Sequence, residues 1–135
     1  MKDKVFLDSN ILIYLYSEDE LQKRNVANDI FDKYECIIST QALNEFCSVC
    51  IKKLNKTISE IIESLNEIKE NSRMKFIDDK TIEQALLLHE KYLYSYFDSL
   101  MLSSALENDC KIIYSEDMQH GQVIENVLKI VNPFV

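Results

Sequence analysis

Val5-Phe6-Leu7-Asp8-Ser9-Asn10 is a short apolar strand that stops at a carboxylate. Near the other end of the chain, Ile112-Ile113-Tyr114-Ser115-Glu116-Asp117 repeats that layout. A continuous apolar run bounded by polar residues suits a strand buried on both faces of a parallel sheet. In open α/β sheets, functional groups gather beyond the carboxyl ends of the strands. Two acids delivered there from opposite ends of the sequence point to one shared site.

Between these runs, strands alternate with helices. The pattern predicts strands at residues 4–7, 36–38, 75–77, 111–114 and 128–131, the last of them closing the sheet. Helices are expected near 11–16, 21–34, 41–54, from Thr57 onward, 79–93 and 97–108. Ser39-Thr40 can cap the third helix, and Thr57-Ile58-Ser59-Glu60 reads as a capping box. Ile58, Ile61, Ile62, Leu65 and Ile68 form the expected core stripe of the helix that follows. In the next helix the stripe is read as Ile82, Ala85, Leu86, His89 and Leu93. Strands separated by helices imply right-handed β-α-β units and a mainly parallel sheet, hence an α/β fold. Gly121 and Pro133 are the only glycine and proline, which leaves little room for linkers or a turn-rich β fold. A chain of 135 residues is expected to form a single domain over 1–135.

Composition narrows the class further. No apolar stretch is long enough to span a bilayer, and Met1-Lys2-Asp3-Lys4 leads directly into the first strand without a signal-peptide pattern. The expected compartment is the cytoplasm, with no membrane partner. Cys47 and Cys50 form a C-x-x-C but fall on the apolar side of a helix with Leu43, Phe46, Ile51 and Leu54, where cysteine packs as a small hydrophobe. No second cysteine pair or histidine pair accompanies them, so zinc is not expected. The net charge of −8 argues against a general nucleic-acid binder with a basic face. It leaves room for an enzyme that cuts nucleic acid, because bound divalent ions supply positive charge locally. The basic residues Lys52, Lys53 and Lys56, then Lys69, Arg73 and Lys75, read as solvated helix faces.

Four acids stand apart by their surroundings. Asp8 follows a fully apolar strand, and Ser9 or Asn10 can cap the next helix in its place. Glu45 shares its helix side with Ala42 and Val49, as a half-buried cleft wall would. Lys52 projects from that same side and is a possible phosphate contact. Asp98 shares a stripe with Met101, Leu102 and Ala105, so it points inward, where an unpaired charge is costly. Asp117 follows the second apolar strand, and Glu116 competes with it for the same role. Two like charges ~4 Å apart repel by about 4 kcal/mol at an effective dielectric near 20. Converging acids therefore need a cation, and an all-oxygen set suits Mg²⁺ or Mn²⁺ rather than zinc. His89 is read as a core residue, and His120 as a loop residue within possible reach of substrate. No H-E-x-x-H, G-x-S-x-G or P-loop is present.

Leu7-Asp8-Ser9-Asn10-Ile11-Leu12, Ala42-Leu43-Asn44-Glu45-Phe46, Tyr96-Phe97-Asp98-Ser99-Leu100 and Tyr114-Ser115-Glu116-Asp117-Met118-Gln119-His120-Gly121 resemble PIN-domain proteins in spacing and context. Within that family the chain is most similar to the VapC-like ribonuclease toxins of bacterial type II toxin–antitoxin modules. The resemblance implies a three-layer α/β/α sandwich and an Mg²⁺- or Mn²⁺-dependent endoribonuclease. It also implies a homodimer and a cognate antitoxin whose tail occupies the active-site groove. Carried over by position, the catalytic and metal-binding acids are Asp8, Glu45, Asp98 and Asp117. Asn10 is the supporting hydrogen-bonding residue, and Ser115 matches the hydroxyl that orients the last acid. Many relatives carry an aromatic shortly after that acid, whereas this chain has Met118-Gln119-His120.

The expected reaction is hydrolysis of RNA phosphodiester bonds, with one or two ions lowering the pKa of a bound water. A phosphatase of the haloacid-dehalogenase type is the enzymatic alternative, but it requires a second acid where Asn10 stands. A non-catalytic interaction module with the same fold is the other alternative.

Overall fold

The computed structural model describes residues 2–135. Its elements, in chain order, are β1 (Lys4–Leu7), α1 (Ser9–Leu15), α2 (Leu21–Lys33), β2 (Glu35–Ser39), α3 (Thr40–Lys52), α4 (Ile58–Glu70), β3 (Arg73–Lys75), α5 (Asp79–Tyr92), α6 (Tyr96–Glu107), β4 (Ile112–Tyr114), β5 (Val123–Ile124) and β6 (Leu128–Val131). The strands form one sheet in the order β3-β2-β1-β4-β6-β5. Every pairing is parallel except that of β5 with β6. On one side α1 packs on α2 and α3, and α3 on α4; separately, α5 packs on α6, which reaches β2 and β4. This is the three-layer arrangement expected of right-handed crossovers. The chain steps outward from β1 to β3 with its helices on one face, then returns to β4 with α5 and α6 on the other.

Strand β1 lies at the centre, and its apolar run follows from that position. Phe6 pairs with Ile37 on one side and Ile113 on the other, and Val5, Phe6 and Leu7 are all buried. Each such side chain stabilises the fold by about 1.5–3 kcal/mol relative to leaving it in water. The strand order reverses between β1 and β4, so a crevice opens beyond their carboxyl ends. The backbone ladder continues up to that crevice. Asp8 N–H donates to Tyr114 O at 3.0 Å and Ser115 N–H to Val131 O at 3.0 Å.

Helix starts follow the capping residues. Ser39 Oγ accepts from Ala42 N–H at 3.3 Å to open α3, and Thr57 with Glu60 forms the reciprocal capping box of α4. Helix α1 begins earlier than the pattern suggests, at Ser9, because Asp8 itself takes the N-cap position. The third strand lies at Arg73–Lys75 rather than 75–77. Strand β5 is two residues long, too short to leave a periodic signal, and it displaces β6 from the sheet edge.

The stripes of α4 and α5 also differ from expectation. In α4, Ile61 and Ile68 are buried but Ile58 and Ile62 are exposed. In α5 the buried face is Thr81, Ala85 and Leu88, and Ile82, Leu86 and Leu93 face outward. Small residues set this rotation. Ser103 Oγ donates to Thr81 O at 2.8 Å, and Thr81 Oγ1 bonds the Asp78 and Glu107 carboxylates. The close α5–α6 approach is thus built on hydroxyls and Ala85, which a reading by hydrophobicity passes over. His89 is exposed, contrary to its expected core role, and its Nδ1 contacts the Tyr94 carbonyl at the end of α5.

All four cysteines are free; Cys36, Cys50 and Cys110 are buried and Cys47 half-buried. Burial pushes the Cys36 and Cys110 thiols up to about 12, and raises Cys47 and Cys50 as well. These are packing residues rather than reactive thiolates. Among the described residues, no helix is long and apolar enough to cross a membrane.

Candidate active site

The crevice beyond β1 and β4 gathers the four acids from four separate elements. Asp8 leaves the end of β1, Asp117 lies in the loop after β4, Glu45 sits in the second turn of α3, and Asp98 in the first turn of α6. Helix α3 follows β2, and α6 runs back toward the start of β4. The N-terminal ends of both helices therefore meet the carboxyl edge of the sheet.

Asp8 is the most buried of the set, at 5% exposure. Its Oδ1 accepts from Ser9 N–H at 2.7 Å, and its Oδ2 accepts from Ser115 Oγ at 2.7 Å. Burial pushes its carboxyl up, the two hydrogen bonds pull it down, and the charges of Glu45 and Asp98 push it up again; the outcome is about 6. Asp98 is half-buried and raised for the same leading reason, opposed by Ser95 and reinforced by Asp117 and Glu45. The four carboxylates thus form one electrostatic group. Among the described residues, no lysine, arginine or histidine makes an ion pair with any of them.

Two amides complete the wall. Asn10 Nδ2 donates to Asp117 Oδ2 at 3.3 Å, the supporting bond expected of Asn10. Gln41 Nε2 donates to Glu45 Oε2 at 3.1 Å and to Phe97 O at 2.9 Å. Gln41 was not among the expected site residues. Its position four before Glu45, where side chains of a helix meet, is the signal that marks it. The remaining amide oxygens, Asn10 Oδ1 and Gln41 Oε1, are buried without a hydrogen-bond partner.

Two expected roles change. Asp8 is the N-cap residue of α1, so capping and site position coincide in one side chain rather than excluding each other. Ser115 holds Asp8, not the last acid. Glu116 and Asp117, the two candidates for the last acid, have different partners. Tyr14 Oη donates to Glu116 Oε1 at 2.6 Å, and Lys23 Nζ to Glu116 Oε2 at 2.6 Å. That carboxylate is engaged elsewhere, while Asp117 faces Asn10 and Asp98.

Among the described residues, neither Lys52 nor His120 makes a hydrogen bond or ion pair with the four acids. Lys52 lies exposed in the last turn of α3, seven residues and roughly 10 Å along the axis from Glu45. His120 Nδ1 accepts from Asn132 N–H at 2.9 Å, tying the loop to the segment after β6.

An all-oxygen set fits a hard divalent cation. The acids lack a counter-charge, Asp8 carries the electrostatic penalty, and two amide oxygens lie orphaned beside them. No three His, Cys, Asp or Glu side chains among the described residues close tightly enough to chelate an ion unaided.

Several solved structures share this architecture at low identity. A toxin–antitoxin complex from Klebsiella pneumoniae aligns with a TM-score of 0.72 and 18% identity, over 96% of this chain and 97% of that one. The sarcin-ricin-loop-cleaving toxin VapC20 of Mycobacterium tuberculosis aligns with a TM-score of 0.68 and 15% identity, over 84% and 89% of the two chains. FitAcB from Neisseria gonorrhoeae gives 0.69 and 13%, over 96% and 98%. A search of curated protein sequences returns no match. The PIN domain family profile matches residues 5–125, a span that runs from β1 to β5 and contains all four acids. With nearly the whole sheet and the acid crevice inside that match, the chain belongs to the PIN domain family.

Proposed function

We propose that this chain is a metal-dependent endoribonuclease, one nuclease domain over 1–135, acting as the toxin of a toxin–antitoxin module. The observation that carries this reading is the crevice itself: four carboxylates at the strand-order reversal of a PIN-family sheet, with no cationic side chain among the described residues paired to them. The likeness to toxin–antitoxin complexes supports a cognate antitoxin as protein partner; RNA as substrate and a homodimer as the working assembly are part of the proposal, carried by the resemblance of the sequence to VapC-like toxins.

Asp8, Asp98 and Glu45 would hold Mg²⁺ or Mn²⁺, with Asp117 completing or extending the site. A divalent cation bound there supplies an activated water and offsets charge on the phosphate under attack. The chain's own contribution is positional. Ser115 and the Ser9 amide fix both oxygens of Asp8, Asn10 fixes Asp117, and Gln41 fixes Glu45. With these groups immobilised, little reorganisation remains at the moment of reaction. An aspartyl-phosphate route loses support here, because Asn10 occupies the place of the second acid and is committed to Asp117.

The test is cleavage of RNA by the purified protein with Mg²⁺ or Mn²⁺, beside Asp8→Asn. Asparagine still caps α1 but removes the charge. Loss of outer positioning groups alone typically costs 10–100-fold at metal sites, so a loss of more than about 100-fold is expected. Equal cleavage by both proteins would refute the assignment.

A further inference from the structure

The acids form only one side of the cleft; an apolar pocket forms the other. It is open, about 520 Å³ in volume, and lined by Ile77, Phe97 and Leu100 together with Gln41, Asn44 and Glu45. Glu45 therefore belongs both to the acid group and to the pocket wall. Phe97 immediately precedes Asp98 and is 63% exposed. Its ring meets Tyr96 edge-on at 5.3 Å. Gln41 joins the two halves, since its single amide nitrogen reaches both the Glu45 carboxylate and the Phe97 carbonyl. Both acceptors sit on that nitrogen, so the amide cannot be flipped without opposing oxygen to oxygen.

The chemistry of this pair of surfaces limits what fits. The acid side takes a phosphate only through a cation. The pocket side offers apolar carbon and no positive charge, so its occupant is neutral, apolar on its faces, and covalently attached to a phosphate close by. A nucleobase meets all three conditions, and stacking on an aromatic side chain is worth about 1–3 kcal/mol per base. Bases are available for such stacking only where RNA is single-stranded, in loops, bulges or ends. We infer that the pocket beside Glu45 receives one unstacked base, from a nucleotide flanking the cleaved bond, with Phe97 as its stacking platform. This rests on the nuclease reading above and adds to it the place where one flanking base is held.

The experiment uses the full chain with Mn²⁺ and a single-stranded oligoribonucleotide whose cleavage position has been mapped. Each nucleotide flanking that bond is replaced in turn by an abasic ribose. The native protein should lose roughly 5- to 150-fold in kcat/KM with the abasic unit at one flank and little at the other. Phe97→Ala should lose the same factor on intact RNA and nothing further on the sensitive abasic RNA. Phe97→Tyr, which keeps a flat ring, should retain cleavage, and the Mn²⁺-induced rise in melting temperature should match native in both variants. Native-like cleavage of intact RNA by Phe97→Ala overturns the base pocket while leaving the nuclease intact. Independent, multiplying losses from the variant and the abasic unit overturn it also. A change of assembly state in Phe97→Ala at unchanged cleavage makes the pocket a contact between copies instead. Absence of any RNA cleavage by the native protein removes the nuclease reading and the pocket with it.

Discussion

Glu116 and Asp117 are adjacent in sequence and opposite in circumstance. Glu116 turns toward Lys23 and Tyr14, with Lys23 Nζ also lying 4.8 Å from the centre of the Tyr14 ring. Burial alone would raise that carboxyl, but the hydrogen bonds from Lys23 and Tyr14 outweigh it and hold Glu116 below the usual range. Asp117 turns the other way, toward Asn10, Asp98 and, through them, Asp8. One carboxylate has its cation built into the chain; the other joins a group that has none. The difference separates the two acids more sharply than burial does, since Glu116 is half-buried and Asp117 exposed.

Breaking the acid side should have the largest effect. Asp8→Asn is expected to lower RNA cleavage by more than about 100-fold, whereas Glu116→Gln should stay within a few-fold. The second effect is on stability and pH. The Asp8 carboxyl titrates near 6 in the folded protein and near 3.9 when unfolded. Between those values the folded state binds more protons, so stability falls as pH rises from about 4 to about 6 and stays lower above. The penalty is about 3 kcal/mol at neutral pH without metal, from a difference of roughly two pKa steps at 1.36 kcal/mol each. Urea melts in chelator should therefore find Asp8→Asn more stable than native at pH 7 by up to that amount, with the gap closing near pH 4. A constant gap across that range would contradict the electrostatic origin.

Third, Mn²⁺ should raise the melting temperature of the native protein, by about 2.7 kcal/mol in stability at a hundredfold excess over Kd. Asp8→Asn should lose this gain and Glu116→Gln should keep it. The smallest effect belongs to the clasp. Glu116→Gln, which keeps hydrogen-bonding ability but loses the charge, is expected to cost about 1 kcal/mol at any metal concentration. If its loss instead depended on Mn²⁺, Glu116 would belong to the site after all.

Much of this was readable in the sequence, and the rest was not for identifiable reasons. β1 and β4 are buried apart from Lys4 and the half-buried Ile112, so their apolar runs stand out from the flanking residues. The acids at their ends follow directly. Asp98 was legible because its helical neighbours are apolar. Helix α5 departs from its hydrophobic stripe because its buried face carries Thr81 and Ala85 beside Leu88, and the first two are packed against α6 without a strong hydrophobic signal. The family resemblance assigns Ser115 to the last acid. The parallel register β1–β4 instead sets Ser115 beside Asp8 across the sheet. Tyr14 and Lys23 reach Glu116 across roughly a hundred residues of chain, a contact with no local trace.

The two ends of the sheet are β3, three residues long with exposed Arg73 and Lys75, and β5, two residues long. Short, charged margins offer almost no open backbone for another strand to pair with. Association by strand addition, the route to fibrils and to swapped sheets, is thereby closed at both margins. A second copy or a folded partner that leaves these margins alone also leaves undisturbed the ladder that aligns Asp8 with Ser115.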